Sequence, residues 1–86
     1  PARPAAADGK ALYARLCAAC HGPSGEGTPM GKPIDAGGPD AAARIAETVR
    51  AGVRGTPMPA FAAVLSDAEI DAIARYVVAM RTPPSR

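Results

Sequence analysis

The sequence predicts an all-α domain of three main helices joined by irregular loops. Three windows repeat apolar residues at helical spacing, no stretch alternates as a strand, and two segments rich in glycine and proline separate the windows. At 86 residues the chain has room for one domain. Its hydrophobic share of 48% overstates the core, because much of it is alanine and aromatics make up 3%, with no Trp. Long loops in so small a domain make sense when they wrap a bulky apolar group that supplies the missing volume.

The first helix is expected from about Asp8 to Cys20. Asp8 is placed to cap it, and Leu12, Tyr13, Leu16 and Cys20 recur at three- and four-residue steps. The second is expected from about Asp40 to Ala51, with Asp40 as cap, Ile45 and Val49 on one face, and Gly52 as the stop. The third runs from about Ser66 to Arg81 and carries the fullest set of signals. Ser66 and Glu69 have capping-box spacing, and Leu65 and Ile70 have that of a hydrophobic staple. Ile70, Ile73, Val77 and Met80 form its stripe, Arg75 and Arg81 suit its C-terminal half, and Pro83 stops it. Residues 1–7 and 82–86 are expected to be flexible tails or linkers, leaving 8–81 as the folded domain.

Formal net charge is +2, with Lys and Arg numbering 10 against 8 Asp and Glu and no basic block. With so few aromatics, this argues against nucleic-acid binding. No apolar run approaches membrane-spanning length. The sequence opens Pro1-Ala2-Arg3-Pro4 without a hydrophobic stretch behind it, as expected of a cytosolic chain, a mature form or a piece of a longer chain, and the last two suit the motif that follows.

The only two cysteines stand in Cys17-Ala18-Ala19-Cys20-His21. A disulfide across so short a loop would stabilise little. A thioredoxin-like pair needs a βαβ context that is not present. A zinc site needs more ligands than one histidine and two cysteines provide. The C-x-x-C-H pattern instead reads as covalent haem attachment. Two thiols one helical turn apart meet the two vinyl groups of a porphyrin, and His21 projects onto the iron as the proximal ligand. Two propionates would bring the loaded protein near neutrality.

A methionine opposite His21 would suit electron transfer, and three are available. Met80 lies on the stripe of the last helix and reads as core. Met30 sits in the first loop and reads as surface or pocket rim. Met58 lies in Gly55-Thr56-Pro57-Met58-Pro59-Ala60-Phe61, where flanking prolines fix φ, remove two donors and lower the ordering cost of a thioether–iron bond. Gap filling is the alternative role for Met58.

From about Asp8 to Met80 the sequence resembles the class I, monohaem c-type cytochromes, especially small bacterial ones. The resemblance rests on Gly9 and Tyr13, Cys17-Ala18-Ala19-Cys20-His21-Gly22, Gly25, Gly27, Lys32-Pro33-Ile34, the Met58-Pro59-Ala60-Phe61 block, Leu65 to Ile70, and Tyr76-Val77. It implies the cytochrome c fold, with helices and loops wrapped around one haem c linked through Cys17 and Cys20. The axial ligands it implies are His21 and Met58. It further implies that Gly9 lets the first and last helices approach closely beside Tyr13 and Tyr76. The carbonyl of Pro33 would accept the His21 Nδ1–H, with Pro29 as the competing candidate, and Ile34 and Phe61 would lie against the haem. The loop between His21 and Met58 departs from better-known members in being short and without aromatics. Arg50 or Arg54 is then the candidate for a propionate, the alternative being a solvated surface charge.

The function this implies is single-electron transfer, either as a free carrier or as the haem-bearing domain or subunit of a larger oxidoreductase. A haem sensor or peroxidase whose Met58 dissociates is a third reading. Partners would be redox proteins docking transiently at the haem edge, with an attached or associated dehydrogenase or oxidase as the alternative. The implied location is periplasmic or otherwise extracytoplasmic in a bacterium.

Overall fold

Four helices, α1 (Gly9–Leu16), α2 (Ala18–His21), α3 (Ala41–Ala51) and α4 (Asp67–Arg81), make up the regular structure of a computed structural model that describes residues 8–81. The expected tails, 1–7 and 82–86, and the expected stop at Pro83 lie outside the described residues. No sheet forms among the described residues; Thr28 and Gly31 make a single isolated bridge.

α4 starts where its capping residues place it. The Ser66 N–H donates to Glu69 Oε1 at 2.7 Å and the Glu69 N–H to Ser66 Oγ at 3.1 Å, so two otherwise unpaired donors are satisfied reciprocally. Leu65 packs half-buried against the core beside this cap. Ile70, Ile73 and Val77 are buried on the expected stripe, while Met80 is only half-buried. α1 also starts as expected, with the Ala11 N–H donating to Asp8 Oδ1 at 3.1 Å.

α3 ends at Gly52, whose φ of +71° favours glycine. Its start differs from expectation. Asp40 makes no side-chain cap, because its φ of −101° and ψ of 14° lie outside the extended region that capping geometry uses. Its carboxylate pairs instead with Arg44 at 3.1 Å.

The expected first helix divides at Cys17. α1 closes there with the Cys17 N–H on the Tyr13 carbonyl at 2.9 Å, and α2 continues as a single turn. The residues at the break are ordinary helix formers, so local propensity does not account for it. Distant groups hold the carbonyls at the end of the motif. Cys20 accepts from Thr28 Oγ1 at 2.6 Å, His21 from the Gly27 N–H at 2.7 Å, and Gly22 from the Tyr13 hydroxyl at 2.7 Å. The expected apolar face changes accordingly: Leu12 and Tyr13 are buried, Cys20 is half-buried and Leu16 is exposed.

α4 packs against both α1 and α3, and α2 packs against α1. Gly9 permits the α1–α4 approach, since a Cβ there would overlap the Ala72 carbonyl and stand 3.1 Å from Tyr76 Cβ. The Tyr13 and Tyr76 rings meet beside it at a centroid distance of 5.7 Å and an angle of 53°. Among the described residues no helix-to-helix packing joins α2 to α3.

Candidate haem-binding site

Cys17 and Cys20 are both free thiols one turn apart, Cys17 at the α1–α2 junction and Cys20 within α2. Cys17 is buried within the apolar core cluster, where burial pushes its thiol up to about 11, with a smaller contribution from the neighbouring Cys20. At neutral pH it is therefore a protonated thiol rather than a thiolate ready to bind a bare cation.

His21 is fixed by its Nδ1–H, which donates to the Lys32 carbonyl at 2.8 Å. That bond selects the tautomer and leaves the Nε2 lone pair for a metal. The expected acceptor was the carbonyl of Pro33; the structure places the bond one residue earlier. The accepting carbonyl belongs to the Lys32–Pro33 peptide, and a residue before proline is biased to the extended backbone that presents it. Pro33 acts through its ring, which lies over Gly27. A Cβ at Gly27, where φ is +95°, would stand 2.8 Å from the Pro33 N and Cδ. Pro29, the other proline considered, sits in the turn between Thr28 and Gly31.

The loop after His21 has no helix or strand, yet bonds hold it throughout. The Gly25 N–H donates to Gly22 at 3.1 Å and the Ile34 N–H to Gly25 at 2.9 Å. A Cβ on Gly31 would stand 2.6 Å from the Cys20 carbonyl oxygen, so the Thr28–Gly31 turn rests directly on the attachment motif. Met30 projects from this turn, 71% exposed.

Met58 is held from the opposite part of the chain. The Phe61 and Ala62 N–H groups donate to the Val49 and Arg50 carbonyls at 3.0 and 3.2 Å, satisfying acceptors that the end of α3 leaves open. The Val53 N–H donates to the Met58 carbonyl at 3.2 Å, and the Met58 N–H to Thr56 Oγ1 at 3.2 Å. Gly52 allows this seat, for a Cβ there would stand 2.7 Å from the Ala60 N. Met58, Phe61 and Ile34 are half-buried and pack against the core cluster that contains Cys17.

The residues present fit a haem. Among the described residues no three His, Cys, Asp or Glu side chains gather to hold a bare ion. A metal arriving with its own equatorial donors needs only two thiols for the ring, one imidazole and one thioether. Ile34, Met58, Phe61, Leu65, Val78 and Met80 stop half-buried against the core, which leaves apolar surface for a flat ring to cover. Arg50 pairs with the exposed carboxylates of Glu47 at 3.0 Å and Asp67 at 3.5 Å, and Arg54 is exposed.

An open cleft of about 560 Å³ is lined by residues 34–38 with Val78 and Arg81, and it shares Ile34 and Val78 with the half-buried apolar layer. Sequence reasoning missed three groups that build the site. Thr28 carries no local signal. Arg44, which donates to the Asp35 and Gly37 carbonyls at 3.1 Å, shows only its spacing from Asp40. Arg81 reads as a helix-end charge, yet it donates to the Ile34 carbonyl at 3.1 Å and the Ser24 carbonyl at 3.2 Å.

The family model described as cytochrome c oxidase, cbb3-type, subunit III matches residues 4–77. The chain belongs to this family of c-type cytochromes. Solved structures agree with that assignment. The c-type cytochrome KustC0563 is 26% identical with a TM-score of 0.73, covering 87% of this chain and 99% of its own. Cytochrome c6 from the diatom Phaeodactylum tricornutum is 33% identical with a TM-score of 0.66, covering 83% and 87%. The dihydro-heme d1 dehydrogenase NirN is 33% identical with a TM-score of 0.67, but the likeness covers 90% of this chain and only 16% of NirN. No curated protein matches. The cytochrome therefore has the all-α cytochrome c fold, and its family work is haem-based electron transfer. No helix among its described residues is long and apolar enough to cross a membrane.

Proposed function

We propose that this cytochrome carries one haem c, joined through Cys17 and Cys20, with iron between His21 and Met58, and that it relays single electrons. The observation that carries the reading is the His21 Nδ1–H on the Lys32 carbonyl, which spends one ring nitrogen and leaves the other for iron, beside two free thiols. The haem would supply the one-electron couple.

The chain's own part is to hold and shield. Lys32 orients the imidazole and makes it a better donor. The bonds from α3 to the Met58 loop keep the thioether in place without a large ordering cost on ligation. Ile34, Phe61 and the partly buried face of α4 exclude water, and Pro33 stiffens the segment that presents Lys32. A haem held by both His21 and Met58 would supply electron transfer rather than bond chemistry. Partners are redox proteins that dock briefly at the haem edge near Cys17 and Cys20, where Leu16 is exposed. The location is outside the bacterial cytoplasm, and residues 8–81 form the functional domain.

A second reading, a haem domain or subunit of a larger oxidoreductase, draws on the match of 90% of this chain to 16% of NirN. Purification of the full gene product separates the two, by whether a catalytic partner or domain comes with it.

Optical spectra of oxidised and reduced protein test the ligand set. A weak far-red band in the oxidised form, lost on reduction, is expected for wild type, Met30→Ala and Met80→Ala but not for Met58→Ala. Retention of the band in Met58→Ala overturns the assignment.

A further inference from the structure

We propose that Arg81 is a positioning residue for the His21 imidazole: from the last turn of α4 it ties down the loop whose Lys32 carbonyl holds that ring. The inference rests on the reading of His21 as an iron ligand.

Arg81 Nε donates to the Ile34 carbonyl at 3.1 Å and Nη1 to the Ser24 carbonyl at 3.2 Å. These acceptors bracket the segment that contains Lys32. Its ends are also joined to each other, through the Ile34 N–H on the Gly25 carbonyl at 2.9 Å. One charged fork therefore closes the loop at both ends, and hydrogen bonds from a charged donor are about twice as strong as neutral ones. Between Ile34 and Lys32 stands Pro33, whose ring fixes φ, so a displacement of Ile34 passes to the Lys32 peptide instead of being absorbed. On the other side, the loop is built to receive the arginine. A Cβ on Gly25, where φ is +71°, would stand 2.8 Å from Arg81 Cδ. The stem lies directly on the backbone there, and only glycine leaves it that space. The path is short and continuous: Arg81 to Ile34, through Pro33 to the Lys32 carbonyl, to His21 Nδ1.

Lysine keeps the charge but cannot make the two-pronged contact, and glutamine loses both charge and fork. The test uses the haem-loaded ferrous protein and reads hydrogen exchange by NMR at two protons. One is His21 Nδ1–H; the other is the amide of Ile73, on the buried face of α4. In Arg81→Lys and Arg81→Gln the Nδ1–H is expected to exchange at least tenfold faster, with Ile73 changed by less than twofold. Should Arg81→Gln fail to fold, Arg81→Lys decides alone. Unchanged Nδ1–H exchange overturns the proposal, because the arginine then does not act on the ring. Equal acceleration of both protons also overturns it, because the arginine is then a general staple. A wild-type protein in which His21 shows no haem-shifted signals overturns the ligand reading itself, which keeps the two failures apart.

Discussion

On the proposed ligand set, Gly52→Ala is expected to loosen Met58 from iron. Gly52 sits at φ +71° and ψ −177°, a region kept almost entirely to glycine that costs a residue with a Cβ about 1–3 kcal/mol. The added methyl would stand 2.7 Å from the Ala60 N and the Pro59 carbonyl carbon and 3.0 Å from the Met58 carbonyl oxygen. All three are backbone atoms, so no side chain can swing aside and the loop itself must retreat. Retreat stretches the Val53–Met58 bond of 3.2 Å and the Phe61–Val49 bond of 3.0 Å, each worth about 1 kcal/mol net. The expected loss of unfolding free energy is about 3–5 kcal/mol, of which about 2 kcal/mol acts through the loop. That portion weakens the hold on Met58, so added imidazole should displace the thioether at about 30-fold lower concentration. The assay is an imidazole titration of the oxidised protein followed by its far-red band. Gly55→Ala is the control, since Gly55 has a similar φ of +80° but nothing within 4 Å of the added methyl. It shares the positive φ without the collision, and a clearly smaller shift is expected. Equal shifts in the two variants would refute the claim that the close approach at Gly52 seats the methionine.

Tyr13→Phe should cost about 1–2 kcal/mol, because it strips the buried Gly22 carbonyl of its hydroxyl donor. Burial, chiefly, raises the Tyr13 hydroxyl above its ordinary value, so the folded state keeps a proton that the unfolded chain loses; wild-type stability should therefore fall as pH rises past about 10, and denaturant melts across that range should show a flatter decline in Tyr13→Phe. Gly9→Ala should destabilise by about 1–3 kcal/mol in a thermal melt despite better helix propensity, because the methyl meets the Ala72 backbone. Ser66→Ala should cost about 1 kcal/mol through the lost cap while the far-red band persists.

The features legible in the sequence are those whose cause is local. Ser66 and Glu69 satisfy each other within one turn, so their spacing suffices to place the start of α4. The same holds for Asp8 on Ala11 and for Gly52 at the end of α3. The C-x-x-C-H motif is legible because its chemistry needs adjacent residues. Features set by distant partners were not legible. Nothing in Leu16-Cys17-Ala18 announces a break, because Thr28, Gly27 and Tyr13 hold the following carbonyls from elsewhere. Prolines around Met58 mark a stiff loop, but that it hangs from the Val49 and Arg50 carbonyls is a tertiary fact. The His21 acceptor was placed to within one residue. A proline at a given offset marks the peptide involved without saying which of its two neighbouring carbonyls turns toward the ring.

The helix arrangement gives the haem of the proposed function a structural task besides the redox one. α2 carries His21 and packs against α1, while α3 anchors the Met58 loop and packs against α4. Among the described residues no helix packing joins α2 to α3, so their relation runs through the α1–α4 contact and the loops. Among the described residues the largest side chains buried almost completely are Tyr13, Ile70, Ile73 and Val77. A chain of this size gains little from burial alone. An iron bonded to His21 on one face and Met58 on the other would join the two halves directly, and its ring would cover the half-buried layer between them. Each axial bond would then act as a fold contact of long sequence separation. Weakening the Met58 seat would loosen the join from the α3 side, and weakening the Arg81 tie would loosen it from the α2 side. With separate loop anchorages, disturbing one of these proposed ligands would leave the other in its geometry.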